Sequence, residues 1–390
     1  MNELAINLMR LRKLNSLTQQ DLADAAGISR VAYRNLEKGN ANPRQGTLQA
    51  LATALKVPAF DLLAPLPKLK SLRYRANKEM TEQERAKGNQ VVVRAGNWLQ
   101  DFNELESMLG TGKRAALPNI RKGTNPQNAA EKLRTALLGD GAKCDCVPDI
   151  CELLENSGIK IFLFDFQMSE LFGLSIGEAD GGPAMAINTS QKISVERQIF
   201  SIAHELGHLI LHKESYGKSP DELSDEQERE ADTFAAAFLM PEKKFLAEWN
   251  ENRGLHWVDA VLKTKRHFKV SYQAVLHQLV DLGKAESPAI YKQFRADYET
   301  RYGQKLHWKE EPPLNPAPRP RTAGVSPAPP PSRTEEPLHL DPLDLMEDRL
   351  GSLVRDALDK ALITVSRAAE ILDVGIEEMR ARLNSWEIVS

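Results

Sequence analysis

Cysteine is scarce in this chain, with three thiols among 390 residues. That is too few for a disulfide framework, and it makes a reducing cytoplasm the expected setting. Long apolar runs are missing as well: none approaches the roughly 20 residues that a membrane span needs. Nor does Met1-Asn2-Glu3-Leu4 show the charged-then-apolar pattern of a secretion signal. No repeat recurs at the roughly 20–50-residue period of solenoids. Secreted scaffolds, membrane proteins and repeat arrays are thereby set aside. What is present is 42% hydrophobic residues, enough to fill real cores, in a chain long enough for two or three domains.

The net charge of −3 hides an asymmetry. Residues 1–94 carry 16 Lys and Arg against 8 Asp and Glu, leaving 35 against 46 for the remainder. A basic head on an acidic body predicts that the head alone meets a polyanion. Within that head, residues 3–63 read as five short helices. Leu4, Leu8, Leu11 and Leu14 mark an amphipathic first helix. Thr18 is a good N-cap for a helix over 19–25, with Asp21 as its weaker capping-box partner. Gly27 makes a turn, Ser29 caps a helix over 30–38, and Gly39 stops it. That layout is a helix–turn–helix, whose second helix enters the major groove of double-stranded DNA. Ser29, Arg30, Tyr33 and Arg34 are expected to face bases. Gln19 and Gln20 open the preceding helix, where they can hold a phosphate, and Lys38 and Arg44 flank the contact. A five-helix protein-interaction module is the alternative.

The other concentrated chemistry is His204-Glu205-Leu206-Gly207-His208, set in an apolar helical run. A spacing of four puts both imidazoles on one helix face, where they can grip a single divalent ion. Glu205 then lies beside the ion, placed to take a proton from a water. Glu228 follows on another helix and can supply a third ligand, with Asp232 one turn later accepting from a ligand imidazole. Glu230 is the alternative third ligand, but it points roughly 160° away from Glu228 on an ideal helix. Three protein ligands leave the fourth position of a zinc ion open, as catalysis requires. His212 lies about 12 Å along the helix from His204, too far to share the ion, and is expected at the helix end. The strand-like Ala184–Asn188, through Ala186 and Asn188, is the expected pairing edge for an extended protein substrate. Cys144, Cys146 and Cys151 have no nearby His; buried or idle thiols are the default reading, and capping of the zinc by a thiolate is the alternative.

These residues carry two resemblances. Residues 3–63 resemble the Xre/Cro-type helix–turn–helix family through Thr18-Gln19-Gln20-Asp21-Leu22-Ala23 and Ile28-Ser29-Arg30. Residues from about 128 to 285 resemble the ImmA/IrrE metallopeptidases through Ile187-Asn188, Phe200 to His208, Glu228 to Ala235 and Leu239-Met240-Pro241. The second resemblance implies Zn2+-dependent cleavage of a repressor or similar regulatory partner, in stress, phage or mobile-element control. It makes His204, His208 and Glu228 ligands and Glu205 the base; Asp232 stands where the family often has Asn.

The expected fold class is therefore multidomain. An all-α five-helix head (1–65) and a basic helical connector (66–127) precede an α+β gluzincin-like zinc peptidase (128–285) with a helix–turn–helix-like end (262–285). A helical extension (286–311) leads to a linker, 312–342, that holds 11 of the 22 prolines and cannot fold as a core. A small helical module (343–390) is tethered beyond it. The head is expected to read DNA as a homodimer. The alternative functions are a regulator whose peptidase-like domain senses without cutting, and an antitoxin-type regulator.

Overall fold

The computed structural model describes residues 2–388, apart from 16, 56, 58, 64–68, 74–80, 140–144, 169, 217–223, 287, 309, 313–339 and 341–344. The Pro-rich reading of 312–342 and that of Cys144 thus lie largely outside the described residues.

The head consists of α1 (Glu3–Leu14), α2 (Gln19–Ala25), α3 (Arg30–Glu37) and α4 (Gln45–Leu55), closed by a 3-10 turn at Ala59–Leu62. Its punctuation follows the side-chain chemistry. Thr18 Oγ1 accepts from Asp21 N at 3.1 Å while Thr18 N donates to the Asp21 carboxylate at 2.8 Å. Gly27 takes φ +67°, the left-handed region, to turn α2 into α3. Leu4, Leu8, Leu11, Leu22, Leu36 and Leu51 converge in the head's own core.

The body is built on a small mixed sheet. Its chain order is β1 (Leu72–Arg73), α5 (Glu82–Leu109), α6 (Pro126–Leu138), α7 (Ile150–Asn156), β2 (Lys160–Phe164), β3 (Gly173–Ile176), β4 (Ala184–Asn188), α8 (Val195–Leu211) and α9 (Asp225–Leu239). The strands lie in the order β1-β3-β4-β2. β2 and β4 are parallel, whereas β3 runs antiparallel to both β4 and β1. The two-residue period of the strands gives the sheet two apolar faces. Ile161, Met185 and Ile187 point towards α6, α8 and α9, whereas Phe164, Leu174, Ile176 and Ala186 point towards α5.

The first face grows into the larger core, completed by α10 (Glu242–Glu251), α11 (Trp257–Phe268), α12 (Tyr272–Asp281) and α13 (Ala289–Tyr302). The helix–turn–helix-like pair α11–α12 is absorbed there through Phe268, Tyr272, Val275 and Leu276.

The second face departs from the expectation of a tethered tail. α14 (Arg349–Asp359), α15 (Val365–Ile371) and α16 (Ile376–Ile388) pack against α5 through Leu350, Leu353, Val354 and Ala357. Polar pairs reinforce the docking: Arg367 meets Asp101 at 2.5 Å, and Arg349 is paired with Glu106. The connector helix and the C-terminal helices thus form one layer over the sheet. The physical reason is the sheet's second apolar face, which a proline-rich spacer does not reveal. No described helix is long and apolar enough to cross a membrane.

Candidate metal centre and nucleic-acid interface

α8 starts at Ser194, whose Oγ accepts from Arg197 N at 3.3 Å, and its apolar side buries Ile199, Ile202, Ala203, Leu206 and Ile210. Between the two histidines stands Gly207. A Cβ there would lie 3.1 Å from Phe234 Cδ1 and 3.3 Å from Ala231 Cα. The missing side chain lets α9 approach α8 closely, which brings Glu228 to the imidazoles.

The three donor groups meet. His204 Nε2 and His208 Nε2 are 3.0 Å apart, and the Glu228 oxygens lie 3.4 Å from His204 Nε2 and 3.5 Å from His208 Nε2. Ligands bonded tetrahedrally to zinc at ~2.0–2.1 Å stand about 3.4 Å from one another, so the set fits such an ion in both spacing and chemistry. Among the described residues, this is the cluster able to hold a metal.

The far side of each ring is also held. His204 Nδ1 is 2.8 Å from Asp232 Oδ1. His208 Nδ1 lies 2.9 Å from His212 Nδ1, and His212 Nε2 lies 2.8 Å from Glu230 Oε2. His212 is the C-cap of α8. Glu230 therefore supports His208 through His212 and is not at the ion position. The sequence reading missed that relay; the run of histidines at intervals of four was the available signal.

Electrostatics separate the roles. Burial alone would lower the His204 pKa, but hydrogen bonds with Asp232 and Glu228 outweigh it and raise it to about 9. For His208 burial wins and brings the pKa to about 3, a neutral ring suited to ligation. Glu228 is pushed up by burial, yet its hydrogen bonds to the two imidazoles hold it far below the ordinary carboxylate range. Glu205 is 7% exposed, and burial raises its pKa. One of its oxygens is buried without a hydrogen-bond partner. It borders a cavity of roughly 330 Å³ together with His204, His208, Gly173, Phe172 and Arg197. The Arg197 guanidinium sits 4.5 Å over the Phe172 ring at that wall.

One sequence expectation needs correction here. β4 is no pairing edge: β2 and β3 flank it, and all five of its residues are buried. Ala186 faces the α5 side. Asn188 donates to the carbonyls of Met168 and Leu171 at 2.7 and 2.8 Å and accepts from Phe166 N and Ser190 N, both at 3.1 Å. With those bonds made, it braces the segment before β3 and has no capacity left for a substrate. Cys151 lies in the larger core, where burial pushes its thiol up, in keeping with the default reading of buried thiols.

In the head, Arg30, Arg34 and Lys38 are exposed on and just after α3. Tyr33 is not: it is 0% exposed, and its hydroxyl donates to Leu8 O at 3.5 Å. It falls on the same inward face as Leu36 and Glu37, so it cannot face bases. Ser29 uses its hydroxyl to cap α3, accepting from Ala32 N at 3.1 Å. Gln19 donates to Glu37 at 3.0 Å, whereas Gln20 is exposed and donates to Asp24 at 2.7 Å. Val31, passed over in the sequence, is 69% exposed on α3 and offers an apolar contact of the kind that meets a thymine methyl.

A helix–turn–helix head joined to a body with this His–His–Glu cluster defines a class: a DNA-binding transcription regulator that carries a peptidase-like domain. Residues 8–62 match the helix–turn–helix family model, and residues 154–280 match the IrrE N-terminal-like domain, a peptidase family that implies a metal, typically zinc. Over 59 residues the chain is 39% identical to an uncharacterized HTH-type transcriptional regulator of Sinorhizobium fredii, a stretch covering 15% of this chain and 77% of that protein. The chain belongs to the helix–turn–helix regulators, and its residues 154–280 are similar to the IrrE-like peptidases.

Proposed function

We propose that the protein is a zinc-dependent endopeptidase, directed by its DNA-binding head, that cleaves a repressor or another regulatory protein. The observation that carries this reading is the Glu205 carboxylate, buried, lacking a partner at one oxygen and beside the three ligand groups. A metal sensor needs His204, His208 and Glu228; only hydrolysis needs Glu205. Zinc, when bound, supplies a Lewis acid for a peptide carbonyl and lowers the pKa of a water to about 7. Glu205 accepts the proton of the attacking water and delivers it to the leaving amine, aided by a carboxylate pKa that burial raises. Asp232 and His212 keep the two rings aimed. In the head, Arg30, Val31 and Arg34 are the base-facing set, with Gln20, Lys38 and Arg44 towards phosphates.

The test compares wild type and Glu205→Gln on the products of neighbouring genes, with zinc and DNA present. Cleavage is expected to fall about 10²- to 10⁴-fold while zinc remains bound at one equivalent. A variant that cuts as fast as wild type ends the proposal, and unchanged regulation by an inactive variant favours the sensor.

A further inference from the structure

One charged group in the metal centre has no part in that chemistry. Arg73 comes from β1, in the connector behind the head and outside the 154–280 family match. Its side chain is 1% exposed. One terminal nitrogen donates to Gln227 Oε1 and the other to Glu228 Oε1, both at 3.0 Å. Its Nε is buried without a partner. The strand register explains the aim: Arg73 stands opposite Ser175, and the two-residue period puts both on the sheet face that carries Gly173, against which Glu205 of α8 packs. The guanidinium therefore lines the same cavity as His204, Glu205 and His208.

We propose that Arg73 is a positioning residue of the metal centre, a fork that fixes the Glu228 carboxylate and the first turn of α9, so that the connector is part of the site. This rests on the metal-binding half of the function proposed above. A buried arginine is not needed to close a sheet, and desolvating it is unfavourable unless its partners are held in good geometry. Glu228 has three rotatable bonds and projects from the first turn of its helix. Anchoring one oxygen, and the neighbouring Gln227 amide with it, removes that freedom and leaves the other oxygen directed at His204. Lysine cannot do the same, because a single ammonium lacks the planar pair of donors.

The cation also has an opposite effect, since positive charge near a divalent ion repels it. The two effects predict opposite signs, which makes the role measurable. The experiment determines the zinc dissociation constant of the full chain by chelator competition, alongside melting of the metal-free and zinc-loaded forms. Arg73→Met and Arg73→Lys are both expected to weaken zinc binding by about 10- to 100-fold. Gln227→Ala is expected to shift it in the same direction by less. Arg73→Met binding zinc as tightly as wild type, or more tightly, overturns the proposal. So does Arg73→Lys melting lower than wild type with unchanged zinc affinity, which marks a purely structural role. Should Arg73→Met fail to fold, the Lys and Gln227 variants decide by the same criterion. Wild type that binds no zinc removes the metal centre itself, whereas zinc binding indifferent to Arg73 removes only this inference.

Discussion

Gly173 shows how closely single residues set the chemistry. A Cβ at that position would stand 3.1 Å from Glu205 Cγ, 3.1 Å from Ile187 Cδ1 and 3.2 Å from Glu205 Oε1. Ile187 is fully buried and cannot yield easily, so the glutamate side chain must move. Gly173→Ala is therefore expected to lower kcat at least tenfold, since sub-ångström misplacement of a reacting group carries penalties of up to about 10²-fold. Zinc stoichiometry should stay at wild-type level because Glu205 is not a ligand. The overpacking should lower stability by about 1–3 kcal/mol. Single-turnover cleavage paired with metal analysis checks this; an unchanged kcat would separate Gly173 from the reaction. The same scale explains what the sequence disclosed. His204 and His208 are linked by helix geometry alone, so their convergence is legible without a fold. Tyr33 and Arg73 are not, because one tyrosine hydroxyl or one guanidinium says nothing local about which way it faces.

Among elements, α8 and α9 were legible through the apolar run around the histidines and the spacing of Glu228 and Asp232, which put an acceptor beside a ligand imidazole without saying that the ring is that of His204. β4 was legible as a strand and not as a central one. Ala184–Asn188 is an uninterrupted buried run, and only its neighbours β2 and β3 settle that it has no free edge. The junction of α7 with α14 was invisible for a related reason, being a contact between segments remote in the chain. There Glu155 is 4% exposed, one of its oxygens lacks a partner and the other is 3.5 Å from Asp348 N. Arg349 donates to Glu155 O at 3.2 Å. Burial raises the Glu155 pKa to about 8 and that of Glu347 to about 7, with the nearby acids adding to both. Both values exceed the ordinary 4.5, so the folded form holds protons that the unfolded chain releases. Their contribution is complete below about pH 4.5 and is lost as pH rises through 7 to 8. The docking of α14 is thus expected to loosen as pH rises from about 4.5 to about 8. Amide exchange of α14 to α16 across that range reads it directly. Glu155→Gln should flatten the dependence, and equal protection at both ends would show that these carboxyl groups do not control the contact.

At the scale of the whole molecule, the sheet separates two tasks. One face carries the metal centre through α8 and α9; the other carries α5 and the C-terminal helices. The segment behind the head contributes to both, through Arg73 on β1 and Trp98 and Phe102 on α5, and α1 of the head touches α5. The proline-rich stretch suggested instead a module that is merely tethered. The two arrangements differ in a melting experiment. Leu353 and Val354 are 5% and 0% exposed where α14 packs against α5. If that layer is integral, Leu353→Ala leaves a cavity and lowers the stability of the body by about 2–5 kcal/mol, in a single transition that includes the sheet. Zinc affinity at temperatures where the variant is folded should be unchanged, because the lost contacts lie across the sheet from His204. If the C-terminal helices were merely tethered, the substitution would melt them separately at lower temperature and leave the transition of the body where it was. Scanning calorimetry of the full chain, with and without zinc, distinguishes one cooperative unit from two.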